Sequence, residues 1–217
     1  MNIATNAKQN GPAARPSKSG FVSLAEILKR GRFVGSRYEP PYDSPIETIF
    51  ARNADKYLHE AVKIEKQVHV QTIGGKFILD FLVTGNGRKV AFECDGKEFH
   101  DEIDDEWRDA MIMGTGKVDE IYRLRGKDLV YRIEDCLYVI SKKTPEIFSE
   151  RGLVNLEMLA SEKVKMAVAW DDDFRHDPTF YIPSIDFRVE HRMDYNLERQ
   201  YWPVLLKQKI DELRCAG

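Results

Sequence analysis

Cysteine is scarce in this chain: Cys94, Cys136 and Cys215 are the only three among 217 residues. Three scattered thiols exclude a disulfide framework. No run reaches the ~20 consecutive apolar residues that span a bilayer. The first twenty residues, MNIATNAKQNGPAARPSKSG, hold no apolar signal-peptide core. A cytoplasmic protein without a membrane partner is therefore expected. There is no Gly-x-x-x-x-Gly-Lys-Ser/Thr run, which excludes P-loop nucleotide hydrolysis by this chain. Neither sign of charge dominates, with 33 basic against 36 acidic residues and a net charge of −3. At 42% hydrophobic and 32% charged, the composition is globular, not collagen-like, coiled-coil or disordered throughout.

The charge is unevenly placed. Residues 1–40 carry Lys8, Arg15, Lys18, Lys29, Arg30, Arg32 and Arg37 against Glu26 and Glu39, a balance of +5. Residues 95–109 carry eight acids against Lys97 and Arg108, a balance of −6. A basic arm beside a concentration of carboxylates suits a protein that meets phosphates and holds a cation. On charge alone, a solvated arm and a solvated loop are the plainer reading. Lys29, Arg30, Arg32 and Arg37 are the candidate phosphate contacts.

Three regions follow. Residues 1–40 read as a disordered basic arm containing one short helix, Ser23–Arg30. Residues 41–149 form the core. Within it Ser44-Pro45 supplies an N-cap with proline at the first helical position, opening a helix to about Lys56. Two apolar runs, Phe77–Val83 and Lys89–Asp95, flank Asn86-Gly87, a type I′ hairpin signal. A helix from about Asp104 to Met113, a strand Glu120–Leu124 and a helix from Ile133 interrupted near Pro145 complete this region. Residues 150–217 read as an α+β extension: Lys163–Trp170 alternates like a strand, Phe180–Val189 is extended, and Asn196–Cys215 is a helix restarted at Pro203. Its stripe of Trp202, Leu205, Leu206 and Ile210 reads as core, with a contact in a homodimer or larger complex as the alternative.

The chemistry lies in the hairpin. A two-residue turn at Asn86-Gly87 sets Asp80 opposite Glu93 and Ile78 opposite Asp95. Phe77, Leu79, Phe81 and Val83 alternate with these and are expected to share one buried face. Like charges directly opposed across a sheet destabilise it. A hard divalent cation held by both carboxylates, a shared proton, or a solvated face bridged by lysine would each relieve the repulsion. Glu47, at the edge of the first helix's apolar stripe, is a third acid. Lys97 shares a side with Glu93 and Asp95 if the strand continues through Gly96. Carboxylates holding a metal, with a lysine nearby, are the equipment of phosphodiester hydrolysis.

The ordered residues Ser44-Pro45-Ile46-Glu47, Gln67, Leu79-Asp80-Phe81 and Ala91-Phe92-Glu93-Cys94-Asp95-Gly96-Lys97 with His100 resemble the PD-(D/E)XK nuclease superfamily. They are most similar to its very-short-patch-repair-like branch. The likeness covers roughly residues 44–140. It implies an α/β restriction-endonuclease-like core with a four-stranded mixed sheet flanked by helices, and Mg²⁺- or Mn²⁺-dependent endonuclease activity on nucleic acid, usually DNA. It further implies that Asp80 and Glu93 bind the metal and that Glu47 completes the site. The family's lysine position holds Asp95 here, which leaves Lys97 as a substitute, Gln67 to orient water and His100 to act on the leaving group. The alternative function is a nuclease-fold module that binds nucleic acid or a protein partner without cutting.

Overall fold

The computed structural model describes residues 42–96, 102–193 and 210–215, with the side chains of 102–104 outside the description. The basic arm with its expected short helix, Lys97 and His100, and most of the expected helix Asn196–Cys215 therefore lie outside the described residues.

Helix α1 (Pro45–Tyr57) starts where the sequence places it. Ser44 accepts a hydrogen bond from the Glu47 N–H, and Pro45 occupies the first turn. Strands β1 (Lys63–Thr72), β2 (Gly75–Gly85) and β3 (Arg88–Asp95) follow as two successive hairpins. The second turns on Asn86 and Gly87, whose φ angles of 50° and 78° are the left-handed pair of a type I′ turn. Its register pairs Gly85 with Arg88 and Phe81 with Phe92, as expected. Helix α2 (Glu102–Met113) then crosses over to β4 (Glu120–Arg125), which pairs parallel to β3. Helices α3 (Gly126–Tyr131) and α4 (Ile133–Lys143), a 3₁₀ turn at Pro145–Ile147, and helices α5 (Glu150–Leu159) and α6 (Glu162–Trp170) lead to β5 (Thr179–Ile182) and β6 (Phe187–Met193).

All six strands belong to one mixed sheet in the order β1-β2-β3-β4-β6-β5. The expected four-stranded sheet is thus corrected: β6 pairs antiparallel with β4 and carries β5 at its other edge. The single extended stretch expected over Phe180–Val189 is two strands, because a 3₁₀ turn at Pro183–Ile185 and the left-handed Asp186 fold it into an antiparallel pair at the edge of the central sheet. The strand expected over Lys163–Trp170 is helix α6. Its alternating Met166 and Trp170 are exposed, whereas Val164, Ala167 and Val168, at helical spacing, pack on the core.

One face of the sheet packs against α1, α4, α5 and α6 through Phe50, Phe81, Phe92, Tyr122, Leu137 and Leu156. The other packs against α2 through Leu82, Ala91, Ile112 and Ile121. The face expected for β2 is divided. Phe81 and Val83 join the first cluster, but Leu79 and Phe77 join the second. The same switch occurs on β1, where Ile64 packs on the first side and Val68 and Val70 on the second. The ladder marks the place: Lys66 pairs with Phe81 and Val68 with Leu79, while the intervening Gln67 and Asp80 are unpaired. Gln67 adopts φ 50°, a left-handed conformation that shifts the alternation.

Helices α1 and α5 approach so closely at Gly152 that a Cβ there would lie 2.1 Å from the Tyr57 carbonyl oxygen. The Ser149 N–H donates to that same oxygen at 3.1 Å. Gly152→Ala must force the two backbones apart and should cost roughly 1–3 kcal/mol. Urea denaturation of this variant checks it; wild-type stability would show that the crossing has slack.

Candidate active site

The break in the β1–β2 ladder concentrates the candidate residues. With no partner on β1, Asp80 turns its carboxylate to the neighbouring strand, and Oδ2 accepts the Cys94 N–H at 2.8 Å. The β2–β3 ladder ends at Phe81–Phe92, so Asp80 and Glu93 stand one step beyond its last rung. The expected Ile78–Asp95 opposition does not form. Ile78 stays with β1, opposite His69, and Asp95 pairs in register with Arg125 on β4.

Glu93 is 4% exposed. Its Oε2 accepts from Arg108 at 3.1 Å, and Oε1 is buried with no hydrogen-bond partner among the described residues. Burial pushes its carboxyl up to about 8, against the pull of Arg108 and with a further push from Asp80. Asp80 is also raised, chiefly by burial; the Cys94 N–H counters this and the Glu47 charge adds to it. Asp80 therefore senses the charge of Glu47, and Glu93 that of Asp80.

Glu47 is 6% exposed and firmly held. Ser44 Oγ donates to its Oε1 at 2.8 Å, and Gln67 Nε2 donates to Oε2 at 3.2 Å. The strained backbone of Gln67 thus serves a purpose, because it delivers a side-chain amide from mid-strand to a buried acid. Among the described residues no three His, Cys, Asp or Glu side chains are gathered closely enough to hold a metal ion. Asp80 and Glu93 offer a pair.

Asp95 is placed differently from the other acids. Arg123 Nη1 donates to its Oδ1 at 3.4 Å, and its side chain also lines a neighbouring cavity. Cys94 is buried on the apolar side, as expected of a core thiol.

Two arginines near Glu93 are not among the expected site residues. Arg108 bridges Glu93 and the Ile78 carbonyl at 2.7 Å. Arg123 lies beside Glu93 in the parallel register and is 3% exposed. Both left a signal. Arg108 is one of two cations in the acidic segment 95–109, and Arg123 interrupts the apolar run Ile121–Leu124. A charged residue inside a buried parallel strand requires a partner.

No family model, curated protein or solved structure significantly matches the chain.

Two expectations follow. Gln67→Gly relieves the left-handed strain and Gln67→Ala does not, although both lose the bond to Glu47. The glycine variant should exceed the alanine variant in stability by ~1 kcal/mol, read from denaturation midpoints; equal midpoints would refute strain at this position. The second concerns Glu93. Its folded-state proton affinity exceeds the ordinary carboxyl value of 4.5. Metal-free stability should therefore fall as pH rises from about 4.5 to about 8 and then level off. Glu93→Gln, which cannot ionise, should gain on wild type across that range in EDTA; a gap that is constant from pH 5 to 8 would exclude the raised affinity.

Proposed function

We propose that this chain is a divalent-metal-dependent endonuclease of the PD-(D/E)XK type, similar to the very-short-patch-repair-like branch, that hydrolyses phosphodiester bonds in nucleic acid, with DNA as the substrate to test first. The observation that carries this reading is the buried Glu93 Oε1, without a hydrogen-bond partner among the described residues, beside Asp80 at the broken end of the hairpin.

A buried carboxylate oxygen without a donor, next to a second carboxylate, fits a hard cation, which needs only one or two protein carboxylates. Asp80 and Glu93 would hold Mg²⁺ or Mn²⁺, with Glu47 as the third acid. Such an ion supplies Lewis acidity to a phosphodiester.

The protein's own groups do the rest. The Cys94 N–H fixes the direction of Asp80. Ser44 and Gln67 fix Glu47 from two sides. Arg108, on Glu93 Oε2, holds that carboxylate in place and would offset phosphate charge beside it.

The second reading is a nuclease-fold module that binds without cutting. It is favoured by Asp95, which stands at the family's lysine position and is engaged by Arg123.

Incubation with supercoiled plasmid separates the two. Wild type should nick or linearise it with Mg²⁺ or Mn²⁺ and not in EDTA. Asp80→Asn should slow single-turnover cleavage by ~10²-fold or more, the scale of losing one key electrostatic group. It should also abolish the rise in melting temperature that Mn²⁺ gives the wild type. Cleavage at the wild-type rate by Asp80→Asn sinks the assignment, and no cleavage by wild type supports the binding module.

A further inference from the structure

The face switch on β1 and β2 leaves one surface uncovered. Beyond Gln67 and Asp80, the side chains of Val68, Val70, Phe77 and Leu79 turn to the α2 side and pack in the second cluster. Strand alternation sends the intervening His69, Gln71, Lys76 and Ile78 to the opposite side, and all four are exposed. They stand in two rungs, His69 opposite Ile78 and Gln71 opposite Lys76.

This end of the hairpin is braced from behind. The Trp107 ring of α2 meets Phe77 edge-on, with centroids 5.9 Å apart. Gly74, in the turn, lies so close to Met111 and Trp107 that an added Cβ would collide with both side chains. Arg108 of the same helix donates from one nitrogen to the Ile78 carbonyl at 2.7 Å and to Glu93 at 3.1 Å. One side chain thus joins a rung of the exposed face to an acid of the candidate site. Asp80 lies two residues beyond Ile78 on the same strand, so a partner seated on this face also borders the acids.

The chemistry of the face fits a polyanion that offers base edges. Residues 68–78 contain no acid, in a chain with 36 acids among 217 residues, and they contribute Lys76 and His69. A pair of strands ~5 Å apart is narrow enough for the ~12 Å major groove of B-form DNA. Successive residues on one face of a strand stand roughly 7 Å apart, about two base-pair steps. The side chains are of the kinds that read this groove. Glutamine pairs with both polar atoms of an adenine edge, lysine with the acceptors of guanine, and an apolar side chain with the thymine methyl. The major groove of duplex RNA is too deep and narrow for them.

We propose that the exposed face formed by His69, Gln71, Lys76 and Ile78 lies in the major groove of double-stranded DNA beside the scissile phosphate and selects a short run of adjacent base pairs. The inference rests on the nuclease reading for its partner, but its test is a binding measurement that needs no cleavage.

The full chain is equilibrated with a pool of short DNA duplexes of randomised centre, once in EDTA and once in Ca²⁺, which fills carboxylate sites, and the bound fraction is sequenced. Wild type should enrich a short run of adjacent base pairs. Fluorescence anisotropy then compares the enriched duplex with one carrying 7-deazapurines in that run, which removes acceptors from the major groove alone. The change should weaken binding by ~10-fold, the scale of one specific base contact. Inosine in place of guanine, which alters the minor groove, should not. The Gln71→Ala/Lys76→Ala double variant, at exposed positions, should flatten the enrichment and lose the response to 7-deazapurines while keeping the wild-type melting temperature.

A flat pool in both conditions, unchanged affinity for the 7-deazapurine duplex, or an enrichment that survives in the double variant would overturn the proposal. Failure of wild type to bind the pool overturns it too. Plasmid cleavage with a flat pool removes the groove-reading face and leaves the nuclease reading standing. Selective binding that the double variant loses, without metal-dependent cleavage, does the reverse.

Discussion

The buried guanidinium of Arg123 organises the acidic side of this sheet. Its Nε and Nη2 meet the two oxygens of Asp109 at 2.9 and 2.8 Å, and Nη2 also reaches Asp105 at 3.1 Å. Both acids project from α2, while Asp95, on β3, accepts from Nη1. One planar cation thus ties the crossover helix to the two parallel strands it connects. Only arginine offers this fork of donors in fixed geometry. The acids around it push its proton affinity above the ordinary arginine value despite burial. Removing one member of a buried charge pair typically costs ~3–5 kcal/mol, because the other is left uncompensated. Here the loss would leave Asp109 and Asp95 unbalanced beside Glu93.

The second constraint is the interruption at Gln67 and Asp80. A regular hairpin would bury one face of β1 and β2 throughout and hold the acids in a ladder of like charges. The left-handed residue breaks that regularity at one point. Apolar side chains on either side of it then fill two different clusters, and Asp80 is released to bond the backbone of β3. The strain is local, and the surrounding pairs from Lys63–Thr84 to Thr72–Gly75 hold the strands in register across it.

What could be read from the sequence was what local chemistry decides. Ser44-Pro45 and Asn86-Gly87 carry their own conformational preferences, so the start of α1 and the β2–β3 register were legible. Glu47 was legible as a flanking acid because helical spacing places it beside the apolar stripe. The face switch was not legible, since a left-handed glutamine is imposed by neighbours that are distant in sequence. Lys163–Trp170 carries two periodicities at once, and only packing on the core selects the helical set Val164, Ala167 and Val168. Strands β5 and β6 could be recognised as extended but not assigned to the central sheet, because their partner β4 lies more than sixty residues earlier. The charge partners of Arg108 and Arg123 lie only 14 to 28 residues away, but on other elements, so they show only once β3, α2 and β4 are packed together.

The strand order has a consequence for how the chain assembles. Strands β1 to β4 are laid down in sequence by two hairpins and one crossover, contacts that close over short loops. Strand β6 then enters between β4 and β5, pairing Tyr122 with His191 after an excursion of nearly seventy residues. Until it arrives, the edge of β4 is unpaired, including the buried Tyr122 and Leu124, and such edges invite wrong partners. Closing so distant a pairing slows folding relative to local hairpins. On the ribosome, the sheet therefore cannot close before about residue 193 has emerged, and the wall that Arg188, Glu190 and Arg192 contribute to the cavity beside Asp95 forms only with that closure.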